Sequence, residues 1–320
     1  MEMHVIAALA GLGITLYLYP LLIENLNSMN IKQTVSEYAL DEFKDKKKTP
    51  TFGGLIFVLV PIFLVIVLSF FNFSNNLLLL VIIYAGHGLL GFIDDYKIVK
   101  DGKNDGISPK VKMLGQISIA LVFYGLYLFF GGDNTLTIHS LKITLNLGWF
   151  YGFLVVFMMV GTSNAVNLTD GMDGLAGGTF LLSLIPFAYF AYVDARMDIL
   201  LMIVAVFFSV LGFLKFNKKP ARIFMGDVGS LPLGAFLAAL SILLGRELLL
   251  VLTGIVFVYE TITVIIQRIS WKIRKKRVFK YTPIHYSFTL SGWSEQGVVS
   301  LFYLIGFIGM LLSLLLGIFL

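Results

Sequence analysis

NLLLLVIIYAGHGLLGFIDDYKIVK, residues 76–100, is an apolar run that ends abruptly in two adjacent aspartates followed by two lysines. Residues 76–93 approach the about 20 residues that cross roughly 30 Å of hydrocarbon, so the stretch reads as a membrane helix delivering two carboxylates to its mouth. Comparable windows recur at 3–22, 53–72, 112–130, 149–166, 174–193, 198–216, 229–245, 247–270 and 299–319, giving ten predicted spans with this one. With 58% hydrophobic and 13% charged residues over 320 positions, a soluble core cannot account for the chain. The predicted class is an all-α polytopic integral membrane protein, one domain over residues 1–320.

The first window is too long for a removable signal peptide and lacks a small-residue cleavage site, so it reads as a retained helix. The absence of cysteine excludes disulfides, thiolate metal sites and a cysteine nucleophile. Connections after the odd-numbered windows hold 21 Lys and Arg, whereas the other side has only Lys142, Arg196 and Arg246. Basic loops stay in the cytoplasm, so both termini are predicted outside. The net charge of +5 follows from this asymmetry, and a rim so charged would also concentrate nucleotides and anionic headgroups. On the outer side, residues 134–147 alternate apolar and polar positions and predict a small β-hairpin. No internal repeat is visible, so an inverted-repeat transporter gains no support.

Four inner-face segments carry the chemistry. KKKTPTFGG (46–54) combines Lys46, Thr51 and two glycines in a form that can hold a phosphate or simply anchor a helix. Asp94 and Asp95 diverge by about 100° on a helix, so one is expected to face the site and the other a lysine such as Lys97, Lys110 or Lys112. In NAVNLTDGMDGLAGG (164–178), Asn167, Asp170 and Asp173 fall three residues apart and share a face if the chain coils there. In FNKKPARIFMGDVGS (216–230), Asp227 lies between glycines and downstream of three bases. That pattern suits Mg²⁺ held by a carboxylate and substrate phosphates, or an Asp N-cap. His87 and Glu260 are ionisable groups inside apolar windows and therefore functional candidates. Acids gathered at one membrane face among lysines suit phosphoryl transfer, which needs charge neutralisation and in-line positioning. A transporter would place them along a path at mid-membrane, so an anionic-solute transporter is the alternative from another class.

TPTFGG, GFIDDYKIV, SNAVNLTDGMDGLAGG, FNKKPARIFMGDVGS and PIH resemble, in order and spacing over nearly the whole chain, the phospho-N-acetylmuramoyl-pentapeptide transferases. These form a branch of the polyprenyl-phosphate N-acetylhexosamine-1-phosphate transferase family. The resemblance implies a ten-helix homodimer in the bacterial cell membrane, with membrane lipids around it, no nucleic-acid partner and a cytoplasmic active site. It implies Mg²⁺-dependent transfer of phospho-MurNAc-pentapeptide from UDP-MurNAc-pentapeptide to undecaprenyl phosphate, giving lipid I and UMP. Asp94, Asp95 and Asp227 match the catalytic acids, with Asp227 the metal ligand. Lys46, Thr51, Lys110, Asn167, Asp170, Asp173, Asn217, Phe224, Gln267 and His285 match positions lining the substrate site. Where the family has three successive histidines this chain reads HYS, with Tyr286 and Ser287 after His285. A donor such as UDP-GlcNAc is therefore the second expectation.

Overall fold

The computed structural model describes residues 1–31, 49–70, 73–102, 105–138 and 143–317. Lys46 and Lys142 lie outside the described residues. Twelve helices and one hairpin follow in chain order among the described residues: α1 (Glu2–Ser28), α2 (Gly54–Leu68), α3 (Asn75–Asp101), α4 (Pro109–Phe129), β1 (Thr135–Ile138), β2 (Ile143–Asn146), α5 (Phe150–Thr169), α6 (Leu175–Val193), α7 (Met197–Asn217), α8 (Asp227–Leu243), α9 (Leu249–Thr253), α10 (Ile255–Arg274), α11 (Ile284–Thr289) and α12 (Glu295–Leu316). Seven of these, α1, α3, α4, α5, α6, α7 and α12, are long and apolar enough to cross a membrane, while α2 and α8 are shorter apolar helices. The predicted hairpin is present, with β1 and β2 antiparallel in the register Thr135 to Asn146.

Helix starts follow local chemistry. The hydroxyls of Ser74, Ser108 and Ser294 accept hydrogen bonds from the first-turn N–H groups of Leu77, Val111 and Gly297, satisfying donors that have no intrahelical partner. The window 247–270 is not one continuous helix: the chain breaks at Gly254, between α9 and α10. Glycine there has the weakest helix preference after proline, and α10 leaves the break as an amphipathic helix with exposed Ile262, Ile265, Ile269 and Ile273. Asp94 and Asp95 also depart from the expectation of a helix end. The helix runs on to Asp101 before Gly102 closes it in the left-handed conformation, so both acids are inside α3.

The centre of the molecule is α8, whose residues from Val228 to Leu243 are all buried; a helix apolar on every side needs protein on every side. It packs against α2, α3 and α5. The approach of α3 is unusually close, because a Cβ placed on Gly91 would overlap the Asp227 carbonyl. Gly91 stands one turn before Asp94 and Asp95, so this contact brings the acid pair to the start of α8. A Gly91→Ala variant should lose about 1–3 kcal/mol of stability through overpacking and a large share of its activity. Thermal unfolding of the detergent-purified protein checks the first part, and an unchanged midpoint would refute the packing role. A smaller cluster of Met172, Leu175, Val256, Ile284, Val298 and Phe302 fixes α11 against α6 and α12.

Candidate active site

The N-terminus of α8 is the organising feature. Its first N–H groups point out of the helix, and Asp95 of α3 accepts two of them: Oδ1 from Asp227 N at 3.1 Å and Oδ2 from Val228 N at 3.0 Å. A carboxylate there is favoured by the positive end of the helix dipole. Gly226 precedes it with φ +69°, and a side chain at that position would run into Asp95 and the Thr51 hydroxyl. Asp227 is thus the first residue of α8, capped from across the interface by Asp95.

Asp94 turns to the other side. Its Oδ1 accepts from Ile107 N at 2.8 Å and its Oδ2 from Lys112 Nζ at 2.9 Å. The same ammonium lies 2.6 Å from Asp227 Oδ2. Asn167 closes the ring, donating from Nδ2 to Asp227 Oδ1 at 2.6 Å and to Ser230 Oγ at 3.0 Å. Asp94 and Asp95 are buried, while the side chains of Asp227 and Lys112 retain 20% and 22% exposure and form the accessible face. One turn beyond Lys112, Gln116 donates to Ser163 Oγ and accepts from Asn164 Nδ2, both at 3.0 Å, while Ser163 donates to Leu231 O. This inner tier ties α4, α5 and α8 together beneath the charged ring.

Oxygens of Asp94, Asp95 and Asp227 lie within 4.8 Å of one another. Three hard carboxylates against a single ammonium leave an excess of negative charge, a donor set that fits a divalent cation such as Mg²⁺. All three acids accept hydrogen bonds on both oxygens, those of Asp95 from the α8 backbone; Asp227, the most exposed, and Asp94, which shares the Lys112 ammonium with it, are the better placed ligands.

The turn after α5 forms a second wall. Asn167, Asp170 and Asp173 do not share one helical face, because α5 stops at Thr169 and the chain turns before Gly174, at φ +81°, starts α6. Asp173 is buried; its Oδ2 accepts from Ala221 N and its own N–H donates to Glu295 Oε1, each at 3.0 Å. Asn217, also buried, accepts from Gly174 N and donates to Ile223 O. Both residues hold the walls rather than line them, whereas Asp170 is only half-buried in the turn.

His285 stands against this turn. Its Nδ1 lies 2.9 Å from Glu260 Oε1, and Glu260 Oε2 accepts from Ile284 N at 2.8 Å. In the neutral ring, the carboxylate keeps the proton on Nδ1 and leaves Nε2, which faces Gly171, as an acceptor. Glu260, a functional candidate in the sequence, is therefore the residue that orients His285. Tyr286 donates its hydroxyl to Gly171 O at 3.2 Å. Burial pushes that phenol up, keeping it protonated as a donor. Ser287 closes its own loop through Tyr281 O at 2.6 Å and Tyr281 N at 2.9 Å.

The other sequence-derived residues are distributed around these walls. Thr51 is buried behind Gly226. Phe224 is half-buried, its N–H donating to Pro50 O at 2.9 Å and its carbonyl accepting from Gly53 N at 2.8 Å. Gln267 accepts from Val278 N and Phe279 N and donates to Phe279 O, fixing the basic loop. Lys110 is exposed, and Lys112 occupies the charged ring instead. The signal for choosing between them was present: Lys112, Gln116, Ala120 and Phe123 fall on one face of α4, the last three buried, and Lys110 is off that face.

Residues 76–245 match the family model described as Glycosyl transferase family 4. The phospho-N-acetylmuramoyl-pentapeptide-transferases of Bacillus licheniformis and Bacillus subtilis are each 43% identical to this chain, over 97% of it and 95% of theirs. The enzyme of that name from Staphylococcus epidermidis is also 43% identical, over 98% of this chain and 99% of its own. The chain belongs to the phospho-N-acetylmuramoyl-pentapeptide-transferase family. Membership makes it a membrane transferase of peptidoglycan synthesis, not a solute carrier. Within the length matched to this transferase family lie every member of the charged ring and both α11 residues that reach Gly171.

Proposed function

We propose that this protein transfers phospho-MurNAc-pentapeptide from UDP-MurNAc-pentapeptide to undecaprenyl phosphate, with Mg²⁺, yielding lipid I and UMP. The observation that carries the reading is the ring in which Lys112, near the start of α4, bridges Asp94, within α3, and Asp227, at the start of α8. An acceptor phosphate oxygen forms a bond to the donor phosphorus that bears the sugar; the bond from that phosphorus to the bridging oxygen breaks, and UMP leaves with the oxygen. Asp94 orients the acceptor phosphate, Lys112 offsets charge growing on the leaving group, and Asn167 holds Asp227 in place. Asp227, with Asp94 beside it, would hold the Mg²⁺, which when bound supplies further neutralisation of the phosphates. Asp95 positions α8. Asp170 and Phe224 bound the donor side, with Thr51, Asp173 and Asn217 supporting its walls and Lys110 and Gln267 belonging to the basic rim.

The ten windows are read as ten crossings, with α2 and α8 as short ones and α9 with α10 as the ninth, in a single transferase domain. Basic connections on one side then put the charged ring in the cytoplasm and both termini outside a bacterial plasma membrane. The functional unit is a homodimer.

Tyr286 and Ser287, in place of two family histidines, favour a second reading in which the donor is another UDP-N-acetylhexosamine such as UDP-GlcNAc. The test is UMP release by purified protein with undecaprenyl phosphate and Mg²⁺, comparing the two donors and weighing the lipid product by mass. Lipid I from the muramyl donor supports the first reading, and product from UDP-GlcNAc alone replaces it with the second. A Tyr286→His/Ser287→His variant is expected to raise muramyl-donor turnover by about tenfold, the value of one or two polar contacts; an unchanged donor ratio removes this loop as the selector.

A further inference from the structure

A groove of about 460 Å³ runs between α6, α7 and α12. Its walls are Gly178, Leu182 and Ile185 of α6, Phe207 of α7, and Tyr303 and Phe307 of α12. Gly178 leaves the room, since a Cβ there would collide with the Tyr303 ring. The groove is apolar along its length and changes character only at the end shared with the basic connections. There, a Cβ built on Gly174 would lie 3.3 Å from the Tyr303 hydroxyl and 3.6 Å from the Cα of Lys218. Lys219 at the same mouth is neutralised by Glu295 at 2.7 Å. Lys218 is exposed and makes no ion pair among the described residues.

The depth of the groove identifies what fits it. On α6 the lining runs from Gly178 to Ile185, about 10 Å along the helix axis, room for part of one acyl chain. We propose that this groove binds an anionic phospholipid of the leaflet bearing the basic loops, with one acyl chain between α6 and α12 and the phosphate at Lys218. This goes beyond the transferase reading and needs only that the helices span a bilayer. The acceptor lipid is the wrong occupant on two counts. Its polyprenyl chain is far longer than one leaflet, and its phosphate has to reach Asp94 and Asp227, which belong to α3 and α8 and not to the groove helices.

The site has a route to the catalytic walls. Tyr303 donates to Gly174 O at 2.7 Å, and Gly174 N is held by Asn217. An acyl chain against Tyr303 therefore stiffens the turn that carries Asp170 and Asp173.

The experiment is native mass spectrometry of the full-length protein from detergent micelles containing equal phosphatidylglycerol and phosphatidylcholine. The wild type should retain phosphatidylglycerol in preference, Lys218→Gln should lower that preference roughly fivefold, and Leu304→Trp, which fills the groove from its rim, should abolish retention of both. Equal retention of the two lipids by the wild type, or an undiminished preference in Lys218→Gln, would overturn the proposal. A third arm adds undecaprenyl phosphate: displacement of phosphatidylglycerol mole for mole from the wild type would reassign the groove to the acceptor.

Discussion

An Asp227→Ala variant should release UMP at least about 10³-fold more slowly than the wild type, the scale of removing a principal electrostatic group from a transition state. Asp227 is the most exposed of the three acids, it is the first residue of α8, and it takes hydrogen bonds from both Lys112 and Asn167. Its loss removes the accessible corner of the carboxylate cluster while leaving the cap from Asp95 to the α8 backbone, which uses N–H groups that alanine also has. The variant should therefore purify as a folded protein, with an unfolding midpoint close to that of the wild type. Its loss of turnover should persist at saturating Mg²⁺. Recovery of normal turnover under excess Mg²⁺ would show that Asp227 tunes metal affinity without being required for the reaction.

Lys112→Met should produce the second largest effect, a fall in turnover of about 10²-fold together with a lower Mg²⁺ concentration for half-maximal rate. The two changes share one cause. Lys112 holds one oxygen each of Asp94 and Asp227, so it competes with a cation for them while balancing charge on the phosphates. Without it the acids bind metal more tightly, but the developing negative charge is less well matched. Arginine is not an adequate substitute, because its planar fork cannot occupy the point between two carboxylates that an ammonium fills. Lys110→Met, a change at an exposed position two residues away, should leave turnover within about twofold if contacts across the charged ring carry the effect. Measuring Mg²⁺ dependence for both variants separates the roles. Equal losses in the two would mean that general basicity of the rim matters, and the bridge would lose its assigned function.

Much of this site is readable before any tertiary structure. Asp94, Asp95, Asp227 and Asn167 stand at the ends of apolar windows, and their motif order is specific enough to imply the transferase family that the comparisons show. Which acid does what is not readable. Adjacent aspartates differ only by a rotation about the helix, and it took the Gly91 contact to turn Asp95 onto the α8 backbone and Asp94 onto Lys112. The three-residue spacing of Asn167, Asp170 and Asp173 likewise misleads, because the helix ends at Thr169 and its continuation as a turn depends on Asn217 and Glu295 arriving from distant segments.

The sequence by itself determined that the chain lives in a membrane, which termini of its apolar segments carry charge, and which family it joins. These follow from composition and local pattern, since hydrocarbon solvates every apolar residue alike and a motif is contiguous. Tertiary structure alone decided that Glu260 orients His285 and that Asp173 and Asn217 support walls. Each of those is a contact between groups far apart in the chain, formed because close helix packing leaves buried polar atoms one arrangement in which their hydrogen bonds are met.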